Sequence, residues 1–196
     1  YYGSQHLMGN ITGNQDRARF ISYASGALKF NEDAKKAGWT RKINVENPVG
    51  YDKAAMLNAI VGTIPGIPVI NYGDEIGMPG GNDPDNRRLS ASEQLLKKQT
   101  AKLLNFRQKA LPLIYGDFEV IKADENNLVY SRTYMDETVI VAINDDTTKT
   151  KFTITKPPHL PDAKFHALFE NHTANKGKQI IIDLKPHAFE IITNIN

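Results

Sequence analysis

The sequence predicts a two-part chain, an α/β segment followed by an all-β antiparallel sandwich, with the change near Leu113. Before that point, helix-spaced apolar residues surround one short β-branched run. After it, only short runs occur, separated by turn residues. Such a change of period marks a domain boundary and divides the chain into 1–112 and 113–196. With 40% hydrophobic residues, the chain has enough apolar side chains for a buried core.

Each element follows in order. Tyr51, Ala54, Ala55, Asn58 and Val61 share one face of a helix, which Leu57 and Ile60 widen. Gly62, ahead of Pro65-Gly66, is the expected stop. Ile67–Tyr72 is a short apolar run between glycines and reads as a strand buried on both faces, as in parallel sheets. Pro68 restricts it to a start near its own position. A loop rich in Gly, Asn, Asp and Pro runs from Gly73 to Arg88. Ser90-Ala91-Ser92-Glu93 fits a capping box. The helix behind it carries Leu95, Leu96, Leu103, Leu104, Phe106, Ala110 and Leu111 on one broad stripe, and Pro112 is its expected end. Strands follow at 118–123, 127–135, 138–144, 151–155, 163–169, 179–184 and 188–193, with Asp136-Glu137 as a hairpin turn.

Composition excludes several function classes. A net charge of +2, with no Lys/Arg run, points away from nucleic acid and anionic membranes as partners. No apolar stretch reaches the ~18 residues of a membrane-spanning helix. The absence of cysteine removes disulfides and thiolate metal sites. His6, His159, His166, His172 and His187 show no zinc-binding spacing. Asn82, Asp83 and Asp85 are oxygen donors, but the Gly and Glu of a calcium-binding helix–loop–helix are missing, so no metal is expected here. The opening Tyr1-Tyr2-Gly3-Ser4 reads as a cut from a longer protein.

Three stretches carry a resemblance. They are Gly13-Asn14-Gln15-Asp16-Arg17-Ala18-Arg19-Phe20, Gly66 to Met78 (GIPVINYGDEIGM), and Gly80-Gly81-Asn82-Asp83-Pro84-Asp85-Asn86-Arg87. Their order and spacing resemble the α-amylase family of glycoside hydrolases, on the neopullulanase, cyclomaltodextrinase and maltogenic-amylase side. The resemblance implies the tail end of a (β/α)8 TIM barrel, with its last strands and helices, followed by the family's C-terminal β-sandwich. It also implies that the family's nucleophile Asp and acid/base Glu, and the N-terminal barrel portion that holds them, lie outside these residues. The chain alone is then expected to be inactive, and its partner to be an α-glucan oligosaccharide. No organic cofactor is implied; a structural calcium in the whole protein stays open.

By that resemblance, Asp16 is the third catalytic carboxylate, accepting from sugar hydroxyls as the oxocarbenium-like transition state forms. Capping a helix, or pairing with Arg17 or Arg19, is the structural alternative. Asn14 and Gln15 would bind substrate, Gln15 standing where the family has His. Asp83 and Arg87 would bind a sugar further out; a salt bridge that shapes the loop is the alternative. Asp74 and Glu75 are expected to hold the loop. Tyr72 reads as either a sugar platform or core, and Trp39 as a packed anchor rather than a platform. A non-catalytic glycan-binding module, and a transglycosylase or isomerase on the same scaffold, are the competing functions.

Overall fold

A computed structural model describes residues 8–88, 94–169 and 171–195. It divides into two compact units: one up to Gly62 and from Gly66 to Leu104, the other holding Thr63–Pro65 and Asn105 onward. The expected capping box at 90–93 lies outside the described residues.

The first unit has strand β1 (Gly9–Ile11), helices α1 (Phe20–Ala24), α2 (Ala34–Thr40) and α3 (Val49–Thr63), strand β2 (Ile67–Val69), a 3-10 turn at Asp74–Ile76, and helix α4 (Gln94–Arg107), which runs on into the second unit. β1 and β2 pair in parallel, Gly9 opposite Ile67 and Ile11 opposite Val69. The expected two-sided burial of β2 is not observed: Ile67 is 50% exposed and Val69 43%. Among the described residues this ladder has two strands, and a strand's face is buried only by a layer packed on it, which the face bearing Ile67 and Val69 lacks.

α3 buries Ala54, Ala55, Met56, Asn58, Ala59 and Val61, more than one stripe, as a helix enclosed on most sides must. It runs one residue past Gly62. That glycine does not stop the helix but admits α4, since a Cβ there would stand 2.6 Å from Leu103 Cδ2. Asn58 Nδ2 donates to Thr100 Oγ1 at 3.0 Å between the same two helices. Of the predicted stripe, Leu96 and Leu103 are buried while Leu95 is 61% exposed. Residues 37–40 lie in α2, where the Asp33 side chain accepts from Lys35 N and Lys36 N as the N-cap. Trp39 is 71% exposed there, so it is not a packed anchor.

Pro112 does not end the preceding helix. It occupies the first turn of a separate short helix, α5 (Leu111–Tyr115), where a missing N–H costs nothing. The second unit is otherwise antiparallel. Strands β3 (Asp117–Ala123), β4 (Asn127–Tyr134), β5 (Glu137–Asn144), β10 (Ala188–Thr193) and β7 (His166–Ala167) form one sheet in that order. β6 (Thr150–Thr155), β9 (Gln179–Leu184) and β8 (His172–Lys176) form the other. Val129, Ile140, Ala142 and Ile192 from the first sheet share one core with Phe152, Ile154, Ile180, Ile182 and Leu184 from the second. That shared core makes the unit a β-sandwich. The expected strand at 163–169 shrinks to two residues, β8 was not anticipated, and the hairpin turn sits at Met135-Asp136, one residue early, with Met135 at φ 51°.

Candidate functional site

Three segments of the first unit converge after β1 and β2. Thr12, just past β1, donates through Oγ1 to Asp74 Oδ2 at 2.6 Å and accepts from Asn71 N at 3.0 Å. Arg19 Nη1 pairs with Asp74 Oδ1 at 3.0 Å, both side chains nearly buried. Gly13 allows this approach, because a Cβ there would meet Asp74 Oδ2 at 3.0 Å. Burial pushes the Asp74 carboxyl above its ordinary range, while Thr12 and Arg19 pull the other way.

The loop after β2 closes the arrangement. Arg19 also donates to the backbone carbonyl of Asn86, from Nε at 2.9 Å and Nη2 at 2.7 Å. The Asn86 side chain returns toward the first segment, its Nδ2 donating to Gln15 O at 2.7 Å and Arg17 O at 2.8 Å. Those carbonyls flank Asp16. Asn86 is 1% exposed, and its buried Oδ1 accepts no hydrogen bond among the described residues. Arg88 grips Asp85 through Nη2 and Nε and donates to Ile43 O, while Asp85 Oδ2 accepts from Gly81 N at 2.7 Å. The loop is therefore pinned at both ends by buried or half-buried polar contacts.

Within this frame the five predicted residues are placed as follows. Asp16 is exposed; its N–H donates to Asn14 Oδ1 at 2.9 Å, and Gln15 Nε2 approaches its Oδ2 at 3.4 Å. It neither caps a helix nor pairs with Arg19, which is committed to Asp74 and Asn86. Arg87 Nε pairs with Asp83 Oδ1 at 2.8 Å, both side chains largely exposed. A cavity of about 420 Å³ is lined by Gln15, Arg19, Asn71, Tyr72, Asn86, Arg87 and Arg88. It gathers Gln15 and Arg87 of the predicted set; Asn14, Asp16 and Asp83 are outside its lining.

Tyr72 is 62% exposed at that cavity, which decides against core. Asp74 and Glu75 hold the turn, Glu75 accepting from Gly73 N at 2.8 Å. Sequence reasoning missed Arg19, Asn71, Asn86 and Arg88 as contributors. The one available signal was the density of hydrogen-bonding residues around Asp83-Pro84. Among the described residues, no three His, Asp or Glu side chains converge as a metal site.

Residues 116–191 match the family described as the alpha-amylase C-terminal domain. A cyclomaltodextrinase of Geobacillus thermopakistaniensis is 39% identical over 89 residues, which is 42% of this chain and 15% of that protein. A cyclomaltodextrinase of Thermoanaerobacter pseudethanolicus is 30% identical over 146 residues, covering 71% of this chain and 21% of that protein. The crystal structure of an Anoxybacillus α-amylase superposes with a TM-score of 0.75 at 28% identity, over 98% of this chain and 39% of that one. The chain thus spans well under half the length of the proteins it matches.

Proposed function

We propose that this chain, a member of the α-amylase family of glycoside hydrolases, forms the C-terminal part of a retaining hydrolase of α-glucosidic bonds in starch-like oligosaccharides or cyclodextrins. Residues 1–112 are then the end of a (β/α)8 barrel, with β1 and β2 as its last two strands, and 113–196 its C-terminal sandwich. The parallel register of β1 and β2, with helices between them, supports this reading.

One observation carries the site. The Asn86 amide holds the carbonyls on either side of Asp16, so the segment bearing Asp16 and the loop bearing Asp83 and Arg87 form one fixed surface. Retaining hydrolysis needs a nucleophilic and an acid/base carboxyl about 5–5.5 Å apart. Both come from residues outside this chain. Asp16 supplies a third carboxylate, held by the turn at Asn14, that accepts from two ring hydroxyls as the anomeric carbon gains positive charge. Those bonds strengthen as the ring flattens, so they lower the barrier rather than merely tighten binding. Gln15 donates to a sugar hydroxyl at the cavity, Asn14 binds beside it, and the exposed Asp83–Arg87 pair meets a more distant sugar. On this reading the 196-residue chain by itself should show no hydrolytic activity, because the nucleophile and the acid/base lie elsewhere.

The decisive experiment joins the chain to its N-terminal portion and assays maltotriose. The joined protein hydrolyses it, the chain alone does not, and Asp16→Asn lowers kcat by about 100-fold or more while KM moves little. Substantial cleavage by the isolated chain, or full activity in Asp16→Asn, refutes the reading. Product analysis in the same assay separates hydrolysis from transglycosylation.

A further inference from the structure

We infer that the second unit carries a binding groove for a phosphate-type anion at one end of its three-stranded sheet. The groove has a cavity of about 570 Å³, and Lys149, Lys151, His172, Asp183 and Lys185 line it. Three lysines thus share the lining with one carboxylate. The strand register places Lys151, Asp183 and His172 in a single row across β6, β9 and β8. Their neighbours Phe152 and Ile182 are buried in the sandwich core, so the row lies on the sheet's outer face.

The single carboxylate does not neutralise this cluster. Asp183 Oδ1 lies 3.5 Å from Lys151 Nζ and its Oδ2 3.8 Å from His172 Nε2, both long for hydrogen bonds. Lys149 and Lys185 are exposed and have no acidic partner among the described residues. Converging like charges repel, and a bound dianion relieves that repulsion.

The walls are set by buried polar groups, not by the lysines. Asn144, fully buried, donates through Nδ2 to Thr148 O at 2.9 Å and to Lys185 O at 2.8 Å. One amide therefore ties the loop before Lys149 to the loop holding Lys185. On the opposite wall, Asn171 donates from N and Nδ2 to the buried carboxylate of Glu190 at 2.8 and 2.9 Å. The backbone positions are fixed before any ligand arrives, which cuts the ordering cost of binding. Lysine ammonium groups, each a compact charge with three donors, suit phosphate oxygens. The lining holds no Phe, Tyr or Trp to stack on a neutral sugar. The ligand chemistry is therefore a phosphate group, free or esterified to a sugar.

The test titrates inorganic phosphate into the full 15N-labelled chain at constant ionic strength, with chloride as the control. Saturable shifts are expected at the amides of 149–151, 171–172 and 183–185. The double variant Lys149→Gln/Lys185→Gln should weaken binding by about tenfold or more, as loss of charged hydrogen bonds requires. Glucose 6-phosphate binding more tightly at the same amides identifies a sugar ester as the ligand, and equal binding identifies the free anion. Maltotriose leaves these amides unmoved. Shifts that do not saturate beyond chloride, shifts caused by maltotriose, or a double variant that binds phosphate like the parent would each overturn the inference.

Discussion

Arg19 closes its guanidinium on the backbone carbonyl of Asn86, and Asn86 in turn spends both hydrogens of its amide on the carbonyls of Gln15 and Arg17. The partners are 67 to 71 residues apart in sequence. Asn86→Ala leaves two carbonyls without donors and opens a gap at a 1% exposed position. A loss of about 1–3 kcal/mol is expected in chemical unfolding. If Asp16 acts at the transition state as proposed, the same variant in the joined protein should lower kcat more than it raises KM, because the segment that bears Asp16 is loosened. Unchanged hydrogen exchange at residues 14–18 would contradict this account.

Arg132 is 2% exposed and uses its whole fork on backbone oxygens. Nε and Nη2 donate to Gly116 O at 3.1 and 2.9 Å, and Nη1 donates to Thr63 O at 2.9 Å. Arg132→Met should cost about 2–4 kcal/mol, since it removes charged donors and leaves both carbonyls unmatched. Arg132→Lys recovers less than half, because an ammonium cannot bridge the two sites as a planar fork does. Thermal or urea unfolding of both variants checks the order.

Asp124 organises the turn between β3 and β4. Its Oδ1 accepts from Asn126 N, Asn127 N and Asn127 Nδ2 at 3.1, 2.9 and 2.9 Å. The Asn127 amide, with Lys122 and the turn N–H groups, holds the carboxyl down at about 2, against an ordinary 3.8. A depressed acid binds fewer protons when folded than when unfolded. Its contribution is therefore complete above the ordinary value and is lost as pH falls from there toward about 2. Asp124→Ala should flatten the midpoint–pH curve in that window and leave a constant deficit above it.

How much of this was legible depended on whether a feature is local. β4, β5, β9 and β10 announce themselves because Val, Ile and Thr recur along them and turn residues bound them. β8 (HTANK) has no apolar alternation; it is a strand because β9 offers it partners from His172 to Lys176. α2 carried a readable cap in Asp33, overlooked beside the glycine and tryptophan that follow. Pro112 signalled a helix boundary but not which side of it the helix lay. At the candidate site, the Asn14–Asp16 and Asp83–Arg87 stretches were recognisable from residue order. Asp74 was legible as a residue that holds the loop, but its partners Thr12 and Arg19, and the role of Asn86, were not, because these are contacts between distant segments.

Gln15 tests the site directly. Gln15 lines the cavity, its side chain reaches Asp16 Oδ2 at 3.4 Å, and its carbonyl is held by Asn86. A glutamine amide donates at every pH, so the proposed sugar contact adds no titration to the rate profile. Gln15→His introduces an imidazole with an ordinary pKa of about 6.5 next to an exposed carboxylate, which favours the protonated form. The joined enzyme should then gain an inflection in kcat/KM at or above that pH, with folding stability close to the parent's because the side chain is exposed. The backbone contact to Asn86 survives the change, so any altered profile reports on the side chain alone. A rate and profile identical to the parent's would remove Gln15 from the substrate contacts while leaving Asp16 untouched.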